Sequence, residues 1–390
     1  MKQAVVANRA VRKVRNHYLW VFADELHRRP ERAYPGEIVR VLAEDGDPLG
    51  VAFYHPSARV ALRMLSSETR LPDGDFWRGR LRQAVERRRP LLEATDALRL
   101  VYAEGDRLPG LVVDAFAGHL VIQVRNAGVE GIKPLVVSLL RELLDPPSIL
   151  ERSDVAARDE EGLPRCSGPL HGTVPERVEV RENGLRFRVD LQRGQKTGYY
   201  TDQRDARRYF GGLVRPGDRV LDAFCYTGGF GVHAAVAGGR VAAVDKDPSA
   251  LDLARQNAAL NGCSDAFETV EADVFPWLVE RAAAGDRFDL VGLDPPALIK
   301  HKNQQGKGRG LLIDLLRPSL ALLRPGGRLH LSTCAYHFHG GLIHEALRMA
   351  AADAGRRLLV TGETRQSADH PWCLQMPETL YLRGITVQAD

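Results

Sequence analysis

Four acids and one cysteine stand where short apolar runs end, and their types and spacing define the chemistry open to this chain. Asp222 begins DAFCYTGGFG (residues 222–231), in which Gly228, Gly229 and Gly231 lead from an apolar run into a helix. Glycines let backbone approach a ligand closely, and a helix N-terminus favours negative charge. Asp245 ends the next run in AVDKD, 23 residues after Asp222, where an α/β sheet holds a ribose through its hydroxyls. The glycines match neither G-x-G-x-x-G nor a GK[ST] phosphate loop, so an adenosyl group without a pyrophosphate is favoured over NAD or ATP. A glycine turn of purely structural use is the plainer alternative. Asp273, closing VEAD, can accept a hydrogen bond from an adenine amino group or simply cap the helix FPWLVERA.

Asp294-Pro295-Pro296 ends the apolar run DLVGL. Two prolines stiffen the chain and keep the preceding residue extended, which presents the carboxylate at the end of its strand. A glycine-bearing basic stretch follows, read as a loop, with Lys300, Lys302, Lys307 and Arg309; three of the eight lysines in the chain fall within positions 300–307. Such a loop beside a site suits phosphate contacts; a solvated loop is the plainer reading. The last run ends in Ser332-Thr333-Cys334-Ala335-Tyr336-His337. A thiolate there is a nucleophile if its pKa is lowered, with His337 or a helix N-terminus contributing. A lone cysteine is more often a small buried hydrophobe, but its place opposite Asp294 reverses that order.

The elements that position these groups follow from periodicity. From about residue 213, RVLDAFC, RVAAVDK, FETVEAD, FDLVGLD and RLHLSTC alternate with helical stretches such as SALDLARQNAALNG. That pattern predicts a parallel sheet covered by helices, with ligands at the carboxyl ends of its strands. RLLVTGET and TLYLRGITVQ, with no helix after them, are expected to finish it as an antiparallel pair. The first seventy residues read as short strands with Gly and Asp turns, a small β barrel or sandwich. DFWRGRLRQAVERRRPLL is read as a helix that Pro90 ends or kinks. Residues 98–192 alternate strands with the helix IKPLVVSLLRELL, contain the polar surface loop ARDEEGLPRCSGPLHG, and close on a hairpin about Asn183-Gly184.

Composition frames this. The chain has 390 residues, enough for two or three domains, with 44% hydrophobic and 27% charged residues, which excludes disorder and fibrous classes. No apolar run reaches the roughly 18 residues of a membrane span, and the basic N-terminus lacks a secretory apolar core; the expected compartment is the cytoplasm. Five scattered cysteines without a CxxC pair indicate neither a disulfide framework nor a zinc site, so no metal is expected. Residues 1–100 carry 19 Lys+Arg against 13 Asp+Glu, and Arg12, Lys13 and Arg15 precede the first acid, Asp24. That excess fits a partner with phosphates, or an arginine-rich composition without such meaning.

DAFCYTGGFG, VDKDPSALDLARQNAALNG, LDPPA and STCAYHF together resemble a class I S-adenosylmethionine-dependent methyltransferase. In particular they resemble the large-subunit (23S) rRNA cytosine-5 methyltransferases that carry an N-terminal PUA domain. GQKTGYYTDQRDARRYF (residues 194–210), HYLWVFADEL, PGEIVRVL, ADHP and LYLRGITV extend that resemblance over essentially the whole chain. It implies an α/β fold: a PUA-like RNA-binding domain over 1–72, a middle α+β domain over 73–192 and a Rossmann-like catalytic domain over 193–390. It also implies S-adenosylmethionine as cofactor and large-subunit rRNA, naked or in an assembly intermediate, as partner. It implies no membrane and leaves a homodimer open.

Carried over by residue, the resemblance places Asp222, Phe224 and Gly228 at the methionine end of the cofactor, Asp245 at the ribose and Asp273 at the adenine. Tyr226 and Lys246 fall in the same two turns, and Gln195, Lys196, Thr197, Tyr199 and Arg204 would help close the pocket. Cys334 would attack cytosine C6 while Asp294 hydrogen-bonds the ring near N3. Many RNA cytosine-5 methyltransferases carry a second cysteine in a Pro-Cys segment; here it is Asp-Pro-Pro-Ala, implying a single-cysteine mechanism. Cys225, beside the glycines, is the competing nucleophile and is expected to pack under the cofactor. Two rivals remain: methylation of guanine N7 or an exocyclic amine, which needs no cysteine, and a non-catalytic RNA-binding protein with a residual cofactor fold.

Overall fold

Strands β1 (Gln3–Val6), β2 (Trp20–Phe22), β3 (Leu26–Arg28), β4 (Ile38–Leu42), β5 (Pro48–Tyr54) and β6 (Val60–Ser66) carry the apolar residues of the first seventy positions. They pair in the order β2-β6-β5-β4-β1-β3. The structure is a computed structural model that describes residues 1–299, 304–335 and 340–390. Reading this stretch as strands alone missed a helix, α1 (Asn8–Arg15). It buries only Ala10 and Val14, too few apolar positions to leave a helical period in the sequence.

Next come β7 (Ala97–Tyr102), β8 (Leu111–Phe116), β9 (His119–Val124), β10 (Ser148–Ser153) and β11 (Cys166–Gly172), in the order β11-β10-β9-β8-β7. Helices α2 (Gly74–Arg88) and α3 (Ala127–Leu144) are capped by Asp73, which accepts from Phe76 N, and by Asn126, which accepts from Val129 N. Trp77 of α2 stacks on Phe53 of β5 at 5.8 Å, joining the two sheets in one core. The expected surface loop at 157–172 is in part strand β11. It is a half-exposed edge strand with Gly and Pro, held by antiparallel pairing to β10 rather than by its own propensity. Strands β12 (Arg177–Glu182) and β13 (Leu185–Asp190) form the expected ribbon, turning at Asn183 and Gly184 with φ of +50° and +83°.

By compactness the chain divides into two units. The first comprises Met1–Arg181, Val189–Thr201 and Asp369–Thr379; the second comprises Glu182–Arg188, Asp202–Ala368 and Leu380–Asp390. The late segment of the first unit is tied in by its side chains: Met376 Sδ accepts from Leu19 N and Glu378 accepts from the Tyr18 hydroxyl.

The second unit holds β14 (Arg219–Ala223), β15 (Arg240–Asp245), β16 (Phe267–Glu271), β17 (Phe288–Leu293), β18 (Leu323–Thr333), β19 (Leu358–Arg365) and β20 (Arg383–Ala389). Their order is β16-β15-β14-β17-β18-β20-β19, all parallel through β18, with β20 antiparallel to both its neighbours as expected. Helices α4 (Arg204–Gly211), α5 (Gly229–Val236), α6 (Pro248–Leu260), α7 (Val274–Ala283), α8 (Gln305–Ala321) and α9 (Gly340–Asp353) belong to the same unit. The strand order reverses between β14 and β17, and in sheets of this kind ligands bind at the carboxyl ends of the strands at such a switch point.

Candidate active site

The turn leaving β14 is built for close approach. Phe224 and Tyr226 both take left-handed backbone, at φ +63° and +49°, a costly conformation for side-chain-bearing residues that clusters at functional sites. Gly228, φ +78°, then caps α5, and a Cβ there would lie 3.0 Å from the Phe267 ring. Asp222, 2% exposed, accepts from Gly231 N at 2.7 Å, so the first turn of α5 is pinned to the end of the strand. Burial above all, then Asp294 and Asp245, push its carboxyl up to about 7 against the opposing Gly231 N–H and Arg207. A cationic ligand group here would favour its charged form.

Asp245 ends β15, half-buried, with Oδ2 accepting from Tyr226 N at 2.9 Å and Oδ1 from Asp247 N at 3.1 Å. Those two bonds bind the first turn to the second. Lys246, next along, is exposed. Asp273 is exposed and caps α7, accepting from Phe275 N at 3.1 Å, so the capping alternative is realised and leaves the carboxylate open to solvent. Phe275 meets Phe224 edge to face at 6.1 Å, giving these turns an apolar wall. Carboxylates for hydroxyls and amines, a buried acid suited to a cation, and glycine backbone together fit S-adenosylmethionine.

Parallel pairing sets Leu293 of β17 opposite Leu331 of β18, so Asp294 and Cys334 leave the sheet at the same edge. Asp294 is half-buried, its N–H reaches Ala223 O at 3.4 Å, and Oδ1 accepts from Gln203 Nε2 at 3.0 Å. Cys334 is half-buried, whereas Cys225 is 6% exposed. Burial, then Asp222 and Asp245, hold the Cys225 thiol well above its ordinary range, which disfavours the thiolate a nucleophile needs. His330 on β18 is held down at about 4 by burial and spends Nδ1 on the Thr386 hydroxyl, so it is a neutral core residue.

The other expected residues divide. Arg204 is buried at the start of α4 in the second unit, 3.5 Å from Asp205. Gln195, Lys196, Thr197 and Tyr199 fold with the first unit: Thr197 donates to Asp114 at 2.6 Å, Lys196 lies 4.2 Å from the Tyr200 ring, and Gln195 accepts from the Tyr200 hydroxyl. Lys300, Lys302 and His337 lie outside the described residues. Lys307 and Arg309 were expected on a loop but stand in α8. Glycine disfavours helix, yet the buried Leu312, Ile313, Leu315, Leu316 and Leu320 anchor the helix and carry its glycine-rich start. Arg309 pairs with Glu345 at 2.8 Å, Lys13 with Glu25 and Arg15 with Asp47 at 2.9 Å, while Arg12 and Lys307 are exposed. Gln203 was missed altogether; a single glutamine inside TDQRD carries no spacing signal.

A PUA-like domain family matches residues 5–67, and an S-adenosylmethionine-dependent methyltransferase family matches residues 164–350. The ribosomal RNA large subunit methyltransferase I of Aeromonas salmonicida is 38% identical over 377 residues, 95% of each chain. That of Klebsiella pneumoniae is 37% identical over 392 residues, 99% of this chain and 98% of its own. A methyltransferase solved in complex with SAH superposes over 100% of both chains with a TM-score of 0.87 at 20% identity, a likeness of fold alone. With such identity over nearly the full length, the chain belongs to the ribosomal RNA large subunit methyltransferase I family of S-adenosylmethionine-dependent enzymes.

Proposed function

We propose that this S-adenosylmethionine-dependent methyltransferase makes 5-methylcytidine in large-subunit rRNA through a Cys334 adduct at cytosine C6. The observation that carries this reading is the emergence of Asp294 and Cys334 from paired strands at one sheet edge. Cys334 Sγ adds to C6 of the ring, and Asp294, carrying a proton, donates to the ring at N3, which offsets the negative charge the addition places on the ring. C5 thereby becomes nucleophilic. When bound, the cofactor supplies the methyl group that C5 takes up. Loss of the C5 proton then lets the C6–S bond break and returns Cys334. The ring must leave its helix to meet these groups, so the target is flipped out or single-stranded.

Asp222, Phe224, Tyr226 and Gly228 are proposed to line the methionine end of the cofactor, Asp245 and Lys246 its ribose side and Asp273 its adenine. Gln195, Lys196, Thr197, Tyr199 and Arg204 are proposed as further cofactor contacts. The PUA-like part (1–72) and the middle part (73–192) are proposed to engage RNA, and the catalytic part (193–390) to carry out the transfer. Exposed Arg12 and Lys307 are the best placed for phosphate, and Lys13, Arg15 and Arg309 share their charge with acids.

The test uses 23S rRNA carrying 5-fluorocytosine, prepared from a strain lacking the enzyme. Fluorine cannot leave C5 as a proton does, so wild type forms an adduct that survives denaturation, and Cys334→Ala forms none. On natural RNA, Cys334→Ala is expected to lose about 10³-fold or more in turnover. Retained turnover overturns the covalent reading and points to guanine N7 or an exocyclic amine.

A further inference from the structure

We infer that Gln203 is a positioning residue for Asp294, and through it for the pyrimidine ring; this rests on the role proposed for Asp294 above. Gln203 is 2% exposed. Its Nε2 donates to Asp294 Oδ1 at 3.0 Å, and its Oε1 is buried without a hydrogen-bond partner among the described residues. A carboxylate only accepts, so the amide must turn its NH2 toward Asp294, which fixes which end is which. Buried polar atoms are seldom left unmade. A glutamine kept for packing alone would be satisfied at both ends; here one end is left unmet while the other holds a carboxylate.

The backbone behind Gln203 is anchored. Asp202 O accepts from Ser367 N at 2.9 Å and from Ser367 Oγ at 3.0 Å, and Ser367 Oγ accepts from Asp205 N at 3.0 Å. The amide thus projects from a braced turn and fixes the plane of the Asp294 carboxyl. A neutral donor also suits its neighbourhood. Asp294 and Asp245, at the strand ends on either side, both act on Asp222. An arginine would hold Asp294 ionised and a carboxylate would repel it, whereas an amide orients it and leaves it able to take up a proton.

The test is a double-mutant cycle on the full enzyme with 23S rRNA. Gln203→Leu is expected to lower kcat about tenfold or more, leaving KM for S-adenosylmethionine within about twofold. Asp294→Asn lowers kcat further, and adding Gln203→Leu to it costs nothing more, because the amide acts through the carboxylate. Gln203→Glu, nearly isosteric, removes the hydrogen bond and adds like charge, so the Asp294 titration in the kcat/KM profile moves to higher pH. Wild-type kcat in Gln203→Leu, losses that multiply with those of Asp294→Asn, or an unmoved profile in Gln203→Glu each overturn the inference. If Gln203→Leu does not fold, the Gln203→Glu profile decides alone. Wild-type turnover in Asp294→Asn would instead remove the role of Asp294 itself, a separate and distinguishable failure.

Discussion

Three buried acids of the first unit and Asp222 of the second are treated in opposite ways. In the first unit, Asp106 receives Arg88 through Nη1 and Nη2, both at 2.7 Å. Asp114 receives Arg99 through Nε and Nη2, both at 2.8 Å, and Glu161 receives Arg63 at 2.9 Å. Each of these charges is neutralised by the chain itself. In the second unit Asp222, as deeply buried, takes a backbone N–H at 2.7 Å and lies in the fields of Asp245 and Asp294. Buried charge that is matched internally is architecture, and buried charge left unmatched is prepared for something that arrives. The contrast separates the two kinds of aspartate where burial alone does not.

The largest effect expected from this contrast is structural. Asp114→Asn leaves the Arg99 guanidinium buried without its counter-charge and loosens Thr197, at a cost of about 3–5 kcal/mol. A thermal or urea melt measures it. A loss under about 1 kcal/mol would mean that the Arg99 pair is not what holds this core.

Asp222→Asn is expected to act with the opposite sign. The carboxyl titrates at 3.8 when unfolded and at about 7 when folded, so the folded chain binds more protons in between. Stability therefore falls as pH rises from about 4 to 7 and stays low above, by on the order of 4 kcal/mol at most. Asparagine removes that penalty, so the variant without cofactor should melt higher than wild type at pH 8 and like it near pH 4. Added S-adenosylhomocysteine should stabilise wild type but not the variant. A variant that melts lower than wild type at pH 8 would show Asp222 to be matched by the chain after all.

How much of this could be read beforehand depends on how local the cause is. Asp222, Asp245, Asp273 and Asp294 were legible because each stands at or just past the end of a short strand-like run, and a parallel sheet must send such residues to one edge. The C-terminal antiparallel pair was legible because no helix follows either run. Gln203 was not, because its meaning lies in a bond to a residue 91 positions away. Nor was the tie of Thr197 to Asp114, across 83 positions. Strand β11 and the start of α8 were misread because pairing and packing override weak local propensity there.

A smaller effect should follow from Gly231→Ala. The new Cβ would stand 2.7 Å from Phe267 Cε2 and 3.0 Å from Asp222 Oδ2. Crowding there is expected to cost about 1–3 kcal/mol and to weaken S-adenosylhomocysteine binding, as calorimetry would report. Unchanged affinity with lowered stability would make the glycine a packing requirement rather than a feature of the site.

The smallest effect concerns Asp273, where both readings of one carboxylate can hold at once. Its Oδ1 caps α7 through Phe275 N while the group stays exposed at the end of β16. Asp273→Ala removes cap and charge together and should cost about 1 kcal/mol of stability. Asp273→Ser keeps a capping oxygen and removes the carboxylate, so its stability should return to within a few tenths of a kcal/mol of wild type. If the carboxylate also meets the adenine amino group, the serine variant should still bind S-adenosylhomocysteine about tenfold more weakly, the scale of one hydrogen bond to a charged group. Equal affinity in the serine variant and wild type would reduce Asp273 to a helix cap. Asp273 would then be a strand-end acid whose partner is its own chain, on the same side of the contrast as Asp114, leaving Asp222 and Asp245 as the carboxylates that wait for the cofactor.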